Sequence, residues 1–290
     1  MQGIVLAGGK GSRLYPMTSV ISKQLLPVYD KPMIYYSIST LMLSGIRDIT
    51  IVSDPINILK FRDLLKNGEQ WGLSLNYIIQ ESPDGLPQAF TLTEQHIQDD
   101  RVALILGDNI FHGAGLGTSL QEIDHSSGCI IFGYPVENAR EYGVVTLENG
   151  MPVKLEEKPL NPSSKLAIPG LYFCDRKVFE ISRSLERSAR GEFEIVDVLR
   201  RYLDAGQLHV RVLPRGAVWL DSGTPNSLSD ASNYVRVLEN RQGLKISCPE
   251  EIALRQGFIS LDQYVKLYSM MPASDYRSYL ESISTTVVET

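Results

Sequence analysis

Three glycines and two cations stand directly after a short apolar run, in Leu6-Ala7-Gly8-Gly9-Lys10-Gly11-Ser12-Arg13. Without Cβ atoms, Gly8, Gly9 and Gly11 let backbone N–H groups approach phosphate oxygens closely, and Arg13 adds a forked, permanently charged donor. Lys23 follows shortly, and no acidic residue occurs from Met1 to Tyr29. The chemistry this suits is capture of a phosphate-bearing anion, although a glycine-rich loop alone is equally a structural turn. Two better-known phosphate loops are excluded. The pattern GxxxxGK(S/T) fails because Gly11 is followed by Ser12 and Arg13, and GxGxxG fails because Gly11 is followed by no third glycine at the required spacing. Asp108 and Asp221 each come after an apolar run, so both carboxylates can emerge at strand ends beside one crevice. Magnesium takes octahedral oxygen coordination from one or two carboxylates plus phosphate oxygens, which makes the pair candidate Mg²⁺ ligands. The other role open to an Asp after a strand is a turn or helix cap.

The elements that must position these residues show a βαβ rhythm. Gly3 to Ala7 and Ile49 to Val52 read as buried strands, with Ile34, Ile38 and Leu41 on one face of the helix between them. Leu75 to Ile79 and Ala103 to Leu106 continue the strand series, with a helix predicted from Gln88 to Ile97. This alternation builds a largely parallel sheet, which places the glycine loop at a strand's C-terminal end, where open α/β sheets bind ligands. From Gly128 onward the strands are closer, at Cys129 to Tyr134, Val144 to Leu147, Leu171 to Cys174 and Val210 to Leu213, with helices at Val178 to Leu185 and Glu194 to Leu203. After Thr224, the spacing of Leu228, Ala231, Val235 and Leu238 opens a helical C-terminal appendix that continues to about Leu280. The final SISTTVVET lacks a helical period and is expected to fray.

Composition excludes several classes. With 290 residues, 43% of them hydrophobic, the chain can bury a sizeable core. A net charge of −6 argues against a general nucleic-acid binder. No apolar run reaches the roughly 18 residues of a membrane span, and the N-terminus lacks a signal-peptide pattern, so a cytoplasmic location is expected. Cys129, Cys174 and Cys248 have no metal-ligand spacing and read as buried thiols; His96, His112, His125 and His209 are scattered and read as ordinary core or surface residues.

The run from Gly8 to Tyr36, GGKGSRLYPMTSVISKQLLPVYDKPMIYY, resembles the signature of sugar nucleotidylyltransferases, on their glucose-1-phosphate thymidylyltransferase branch. The resemblance extends through Gln80 to Leu86, Leu106-Gly107-Asp108-Asn109, Tyr142 to Val145, Glu156-Glu157-Lys158-Pro159, Gly170 to Phe173, Trp219 to Thr224 and Leu238 to Gly243, and so covers nearly the whole chain. Ser12 stands where the family usually has Thr, Ser37 where Pro is usual, Pro169 where Thr often precedes Gly-Leu-Tyr, and Ser222 where Thr is common. Ser12 keeps a hydroxyl; Pro169 removes a backbone donor near the expected sugar pocket.

The resemblance implies a fold, a reaction and a site. The fold is an α/β, Rossmann-like mixed and mostly parallel sheet flanked by helices, with sugar-binding insertions. Residues 1–225 would form the core, with 1–127 binding nucleotide and 128–225 binding sugar, and residues 226–290 the helical appendix packed on it. The reaction is Mg²⁺-assisted transfer of a thymidylyl group from dTTP to α-D-glucose 1-phosphate, by direct displacement at the α-phosphorus. Arg13, Lys23 and Lys158 are the implied catalytic cations, the first two on the triphosphate and Lys158 on the sugar phosphate. Leu6, Gly8, Gly9, Gly11, Ser12, Gln80, Gly85 and Asp108 join Arg13 and Lys23 around the nucleotide, with Gln80 and Gly85 at the base. Tyr142, Gly143, Glu157 and Ile168 join Lys158 around the sugar phosphate, Glu157 accepting from hydroxyls. Asp108 and Asp221 hold the metal; Glu194 and Asp197, on a helix, are set outside the site. UTP or an amino-sugar phosphate are alternative substrates, and a catalytically silent nucleotide-sugar sensor is the alternative of another class. A homotetramer and feedback by a downstream dTDP-sugar, bound near Cys248 to Arg255, complete the implied picture.

Overall fold

Strand β1 (Gln2–Leu6) is central because it is apolar on both faces, and Ile4 and Val5 are wholly buried. The computed structural model describes residues 1–123 and 127–288; His125 lies outside them. After β1 come a short hairpin, β2 (Pro27–Val28) and β3 (Lys31–Pro32), then α1 (Ile34–Leu43), β4 (Asp48–Ser53), α2 (Ile58–Leu65) and β5 (Ser74–Ile79). Next are α3 (Gln88–Thr93), β6 (Arg101–Leu106), β7 (Asn109–His112) and α4 (Leu116–Gln121). The second half contributes β8 (Cys129–Pro135), β9 (Gly143–Glu148), β10 (Met151–Glu157), β11 (Leu166–Ala167), β12 (Leu171–Asp175), α5 (Lys177–Arg183), α6 (Ile195–Asp204), β13 (Leu208–Val212) and β14 (Val218–Asp221). Four helices follow: α7 (Pro225–Gln242), α8 (Pro249–Arg255), α9 (Leu261–Ser269) and α10 (Asp275–Val288).

Among the described residues one ten-stranded mixed sheet runs β10-β9-β11-β8-β12-β6-β1-β4-β5, with β13 beside β8. The β6-β1-β4-β5 half is parallel, and β12 joins it antiparallel to both β6 and β8. The chain leaves β1 toward β4 and β5, then returns to place β6 on the other side of β1. That reversal opens a crevice beyond the C-terminal ends of β1 and β6, the usual ligand position in such sheets. Separately, β7 and β14 pair antiparallel, with Asp221 opposite Asn109.

Helix boundaries follow local chemistry and packing. Helix α7 starts at a capping box in which Thr224 and Ser227 satisfy each other's backbone N–H groups, with Pro225 in the first turn. On α6, Val196, Val198, Leu199 and Tyr202 are buried while Arg200 and Arg201 lie on the other side. The predicted helix to Ile97 stops sooner, at Thr93, where the Thr93 hydroxyl donates back to the Ala89 carbonyl at 2.8 Å. The expectation that SISTTVVET lacks helix is corrected as far as Val288, where α10 ends; Glu289 and Thr290 lie outside the described residues. Leu280 and Ile283 are buried against the rest of the molecule, and Tyr264 of α9 donates to the Leu280 carbonyl at 3.1 Å. Tertiary packing supplies what the periodicity lacked.

The appendix is packed on the first half. Cys248, Ala253, Tyr264, Leu280 and Ile283 share a buried cluster with Ile38, Leu41 and Trp71. Trp71 Nε1 donates to Glu250 Oε1 at 3.1 Å. A buried ionic group fastens the β2–β3 hairpin to α7: Lys31 Nζ lies 2.6 Å from Asp30 and 3.1 Å from Glu239, and Lys245 pairs with both acids. Cys129 and Cys174 are buried and face each other in register across β8 and β12, Cα atoms 4.1 Å apart, and Cys248 is buried as well.

Candidate active site

The glycine loop is fixed at its two ends. A Cβ on Gly8 would stand 2.4 Å from Gln80 Oε1, so only glycine lets that side chain lie against the loop. At the other end the Gly11 carbonyl accepts from the Thr18 hydroxyl at 2.8 Å and from Leu14 N–H at 2.9 Å. Gly9 and Gly11, at φ 103° and 57°, turn the chain between these anchors. A single 3₁₀ turn then presents Arg13 while Leu14 is wholly buried. A second such turn, Lys23–Leu25, carries Lys23 into the crevice, and Gln24 Nε2 donates back to the Gly8 carbonyl at 3.3 Å.

Beyond β6, Gly107 N–H donates to the Leu6 carbonyl at 2.9 Å, which brings Asp108 beside the loop. Asp108 is buried and ion-paired with Lys23. Burial pushes its carboxyl upward, but the adjacent Lys23 charge and hydrogen bonds from Lys23 and Asn109 win, leaving it below the usual carboxylate range. Asp221 goes the other way, to about 6, because burial and the Asp108 charge outweigh Lys23 and Arg13. Arg13 and Asp221 both approach Gly223: a Cβ there would be 2.6 Å from Arg13 Nη2 and 3.0 Å from Asp221 Oδ1. Two mutually repelling carboxylates, one of them proton-seeking, form a donor set that a hard divalent cation suits. No group of three or more His, Cys, Asp or Glu suited to a metal occurs among the described residues, so the pair would need phosphate or water oxygens to complete an octahedron.

Asn109 organises the floor. Its Oδ1 accepts from Trp219 Nε1 at 2.6 Å and Gly170 N–H at 3.0 Å, and its Nδ2 donates to Asp108 at 3.1 Å. Trp219 in turn meets the Tyr142 ring edge-on at 5.0 Å. On the far side, β10 ends at Glu157, and Lys158 follows with φ 41°, its N–H donating to the Tyr142 carbonyl at 3.1 Å. Lys158 Nζ is 3.9 Å from Glu157 Oε1. Arg190 bridges Glu157 at 3.2 Å and Glu194 at 2.6 Å. Burial raises the Glu157 carboxyl above its ordinary value, with Lys158 and Arg190 opposing and Glu194 adding to the rise.

A cavity of about 450 Å³ joins these parts. Of the residues singled out from the sequence, Leu6, Gly8, Arg13, Lys23, Asp108, Tyr142, Gly143, Glu157, Lys158, Ile168 and Asp221 line it. Gly9, Gly11 and Ser12 are not among the lining residues, nor is Gln80, which lies against Gly8 with its Nε2 donating to Gln88 Oε1 at 2.6 Å. Gly85 also stays off the wall, and its backbone bridges Phe193, with φ 121° and a hypothetical Cβ 2.2 Å from the Phe193 carbonyl. Glu194, set aside as a helix residue, does line the cavity; it is the extended N-cap before α6, so its side chain turns back to Arg190 rather than along the helix. Asp197, one turn in, pairs with Arg200 instead. Asn109, Trp219 and Arg190 were missed as wall residues, although the first two stand beside Asp108 and Asp221 in the quoted motifs. Pro169 is buried, and its carbonyl accepts from Leu171 N–H at 2.8 Å.

The nucleotidyl transferase family profile matches residues 2–237. The chain is 54% identical to a glucose-1-phosphate thymidylyltransferase of Mycolicibacterium smegmatis, over 97% of this chain and 98% of that one. It is 47% identical to a glucose-1-phosphate thymidylyltransferase of Xanthomonas campestris pv. campestris, over 98% of this chain and 97% of that one. A similar solved structure is that of a protein from Bacillus anthracis assigned as a glucose-1-phosphate thymidylyltransferase and crystallised with sucrose, at 37% identity and a TM-score of 0.76, covering 81% of this chain and 95% of that one.

Proposed function

Because this chain belongs to the nucleotidyl transferase family, among its glucose-1-phosphate thymidylyltransferases, we propose that it converts dTTP and α-D-glucose 1-phosphate into dTDP-glucose and pyrophosphate. A phosphate oxygen of the sugar phosphate forms a bond to the α-phosphorus as the bond from that phosphorus to the bridging oxygen breaks, and the electron pair leaves with pyrophosphate. No covalent enzyme intermediate is needed. Both reactants are anions, so neutralisation and in-line positioning are the main tasks. Arg13 and Lys23 hold the triphosphate, and Lys158 orients the sugar phosphate, with Glu157 accepting from a sugar hydroxyl. Gln80 and Gly85 sit on the base side. Magnesium held by Asp108 and Asp221 would draw charge from the phosphate oxygens when bound.

The observation that carries this reading is that cations and carboxylates from distant segments, Arg13, Lys23, Asp108, Lys158 and Asp221, line one cavity. The test is pyrophosphate release with Mg²⁺, using dTTP and UTP in parallel against glucose 1-phosphate. Fast release with dTTP and weak release with UTP is expected; release with neither overturns the reading in favour of a silent nucleotide-sugar sensor, and a UTP preference moves the enzyme to UDP-glucose synthesis.

The same reading places residues 226–290 as an appendix to a 1–225 core, and the enzyme in the cytoplasm as a homotetramer supplying deoxysugar synthesis. No helix among the described residues is long and apolar enough to cross a membrane. The reading that a downstream dTDP-sugar exerts feedback near Cys248 to Arg255 is supported by a second cavity of about 440 Å³ whose lining includes Cys248, Glu251 and Arg255. Light scattering giving a monomer would remove the tetramer.

A further inference from the structure

A buried serine on α1 bonds outside its own helix. Inside a helix a serine or threonine commonly returns its hydroxyl to the carbonyl four residues back, and on α1 Thr40 does so, to Tyr36 at 2.9 Å. Ser37, wholly buried, instead sends its hydroxyl across to the turn between β6 and β7, 3.0 Å from the Leu106 carbonyl and 3.3 Å from the Asn109 carbonyl. A hydroxyl has one proton, which these two acceptors share. They are the two ends of the segment that carries Asp108. Ser39 gives the contrast: it is equally buried, and its hydroxyl has no partner among the described residues.

The 106–109 segment is held on its other sides through its backbone. Leu106 N–H donates to the Gly170 carbonyl at 2.9 Å, Gly107 N–H to the Leu6 carbonyl at 2.9 Å, and the Asp108 carbonyl accepts from Ser222 N–H at 3.1 Å. Because β14 takes up the Asp108 carbonyl, the Asn109 carbonyl points away from β14 and toward α1, where Ser37 is its donor. Asp108 and Asn109 both line the cavity, and the Asp108 carboxylate is bound by Lys23 and by Asn109 Nδ2. A carboxylate on so short a turn goes where the backbone goes, and a displacement of about 1 Å is enough to lose most of a positioned group's effect.

We propose that Ser37 is a positioning residue for the reaction: its hydroxyl straps the 106–109 turn to α1 and so sets the Asp108 carboxylate where the nucleotide's Mg²⁺ is to be held. The inference rests on the nucleotidyl transfer reading above. Ser37 itself touches neither substrate nor metal.

The test compares the wild type with Ser37→Ala, with Ser37→Cys, which keeps the side chain's shape but donates only weakly, and with Ser39→Ala as the control on the same helix. Calorimetric titration with dTTP, once with Mg²⁺ and once with EDTA, reads the metal-dependent part of binding apart from turnover. In both Ser37 variants the gain in dTTP affinity that Mg²⁺ gives should fall by about tenfold, while metal-free dTTP binding stays within about twofold of wild type. Pyrophosphate release should show kcat lowered by about tenfold and the KM for glucose 1-phosphate within about twofold. Ser39→Ala should match the wild type in every readout. A Mg²⁺ gain that survives in Ser37→Ala or Ser37→Cys, a loss of equal size with and without Mg²⁺, or the same defect in Ser39→Ala overturns the proposal. A wild-type protein that fails to release pyrophosphate from dTTP removes the underlying reaction instead, so the two failures are distinguishable.

Discussion

Lys158 is held in an unusual backbone conformation, φ 41°, at the end of β10, with its N–H fastened to Tyr142 and its side chain half exposed to the cavity. A cation fixed before substrate arrives costs no reorganisation when charge shifts between phosphates. Lys158→Ala should therefore lower kcat/KM by at least roughly 10²-fold, measured by pyrophosphate release, with the melting temperature little changed. Glu157 carries a pH prediction. Its folded carboxyl binds a proton more readily than a free one because of burial, so the ionised form is lost as pH falls through a value above the ordinary range of about 4.3. The wild-type KM for glucose 1-phosphate should rise as pH is lowered toward that value, and Glu157→Gln should remove the Glu157 part of that rise, leaving the part that Asp221, raised to about 6, and the substrate phosphate contribute.

Several elements bring their residues to the cavity through backbone approach that no side chain would permit. The 82–86 segment meets Phe193 through Gly85, and this contact holds the stretch that leads to Glu194 and α6. Gly85→Ala should cost about 1–3 kcal/mol in urea denaturation from backbone strain alone, with a further loss from the clash at the Phe193 carbonyl. Gly9→Ala is the control at this scale, since its Cβ would meet nothing within 4 Å and only the strain at φ 103° remains. The βα alternation of the first half was legible because each buried strand and helix face repeats within a short window. Strands β7 and β14 were harder to read as a pair, because their register joins residues far apart in sequence.

Across the molecule, the parallel half carrying the glycine loop is clamped to the C-terminal helices by the Asp30, Lys31, Glu239 and Lys245 group and by the shared cluster around Trp71. For Asp30, burial raises the carboxyl, but Lys31 and Lys245 together hold it below its ordinary value. The folded state thus binds this proton less readily than the unfolded chain. The stabilisation is present above the unfolded value of about 3.9 and is lost as pH falls through the lower folded value. Asp30→Asn should be less stable than wild type at pH 7 by chemical denaturation, and the difference should shrink as pH drops below about 4.

Legible in the sequence were the strand-end glycine loop, the Asp positions after apolar runs, the strand–helix alternation of the first half and, through its motifs, the family. All of these are written in local spacing or in short contiguous runs. Tertiary structure alone decided which charge faces which: Lys23 on Asp108, Arg190 between Glu157 and Glu194, and Asn109 under Trp219. It also set Cys129 opposite Cys174 and carried α10 to Val288. The physical reason is common to these cases. A side chain's partner and its burial depend on strand register and packing between distant segments, whereas sequence periodicity reports only which face of its own element it occupies.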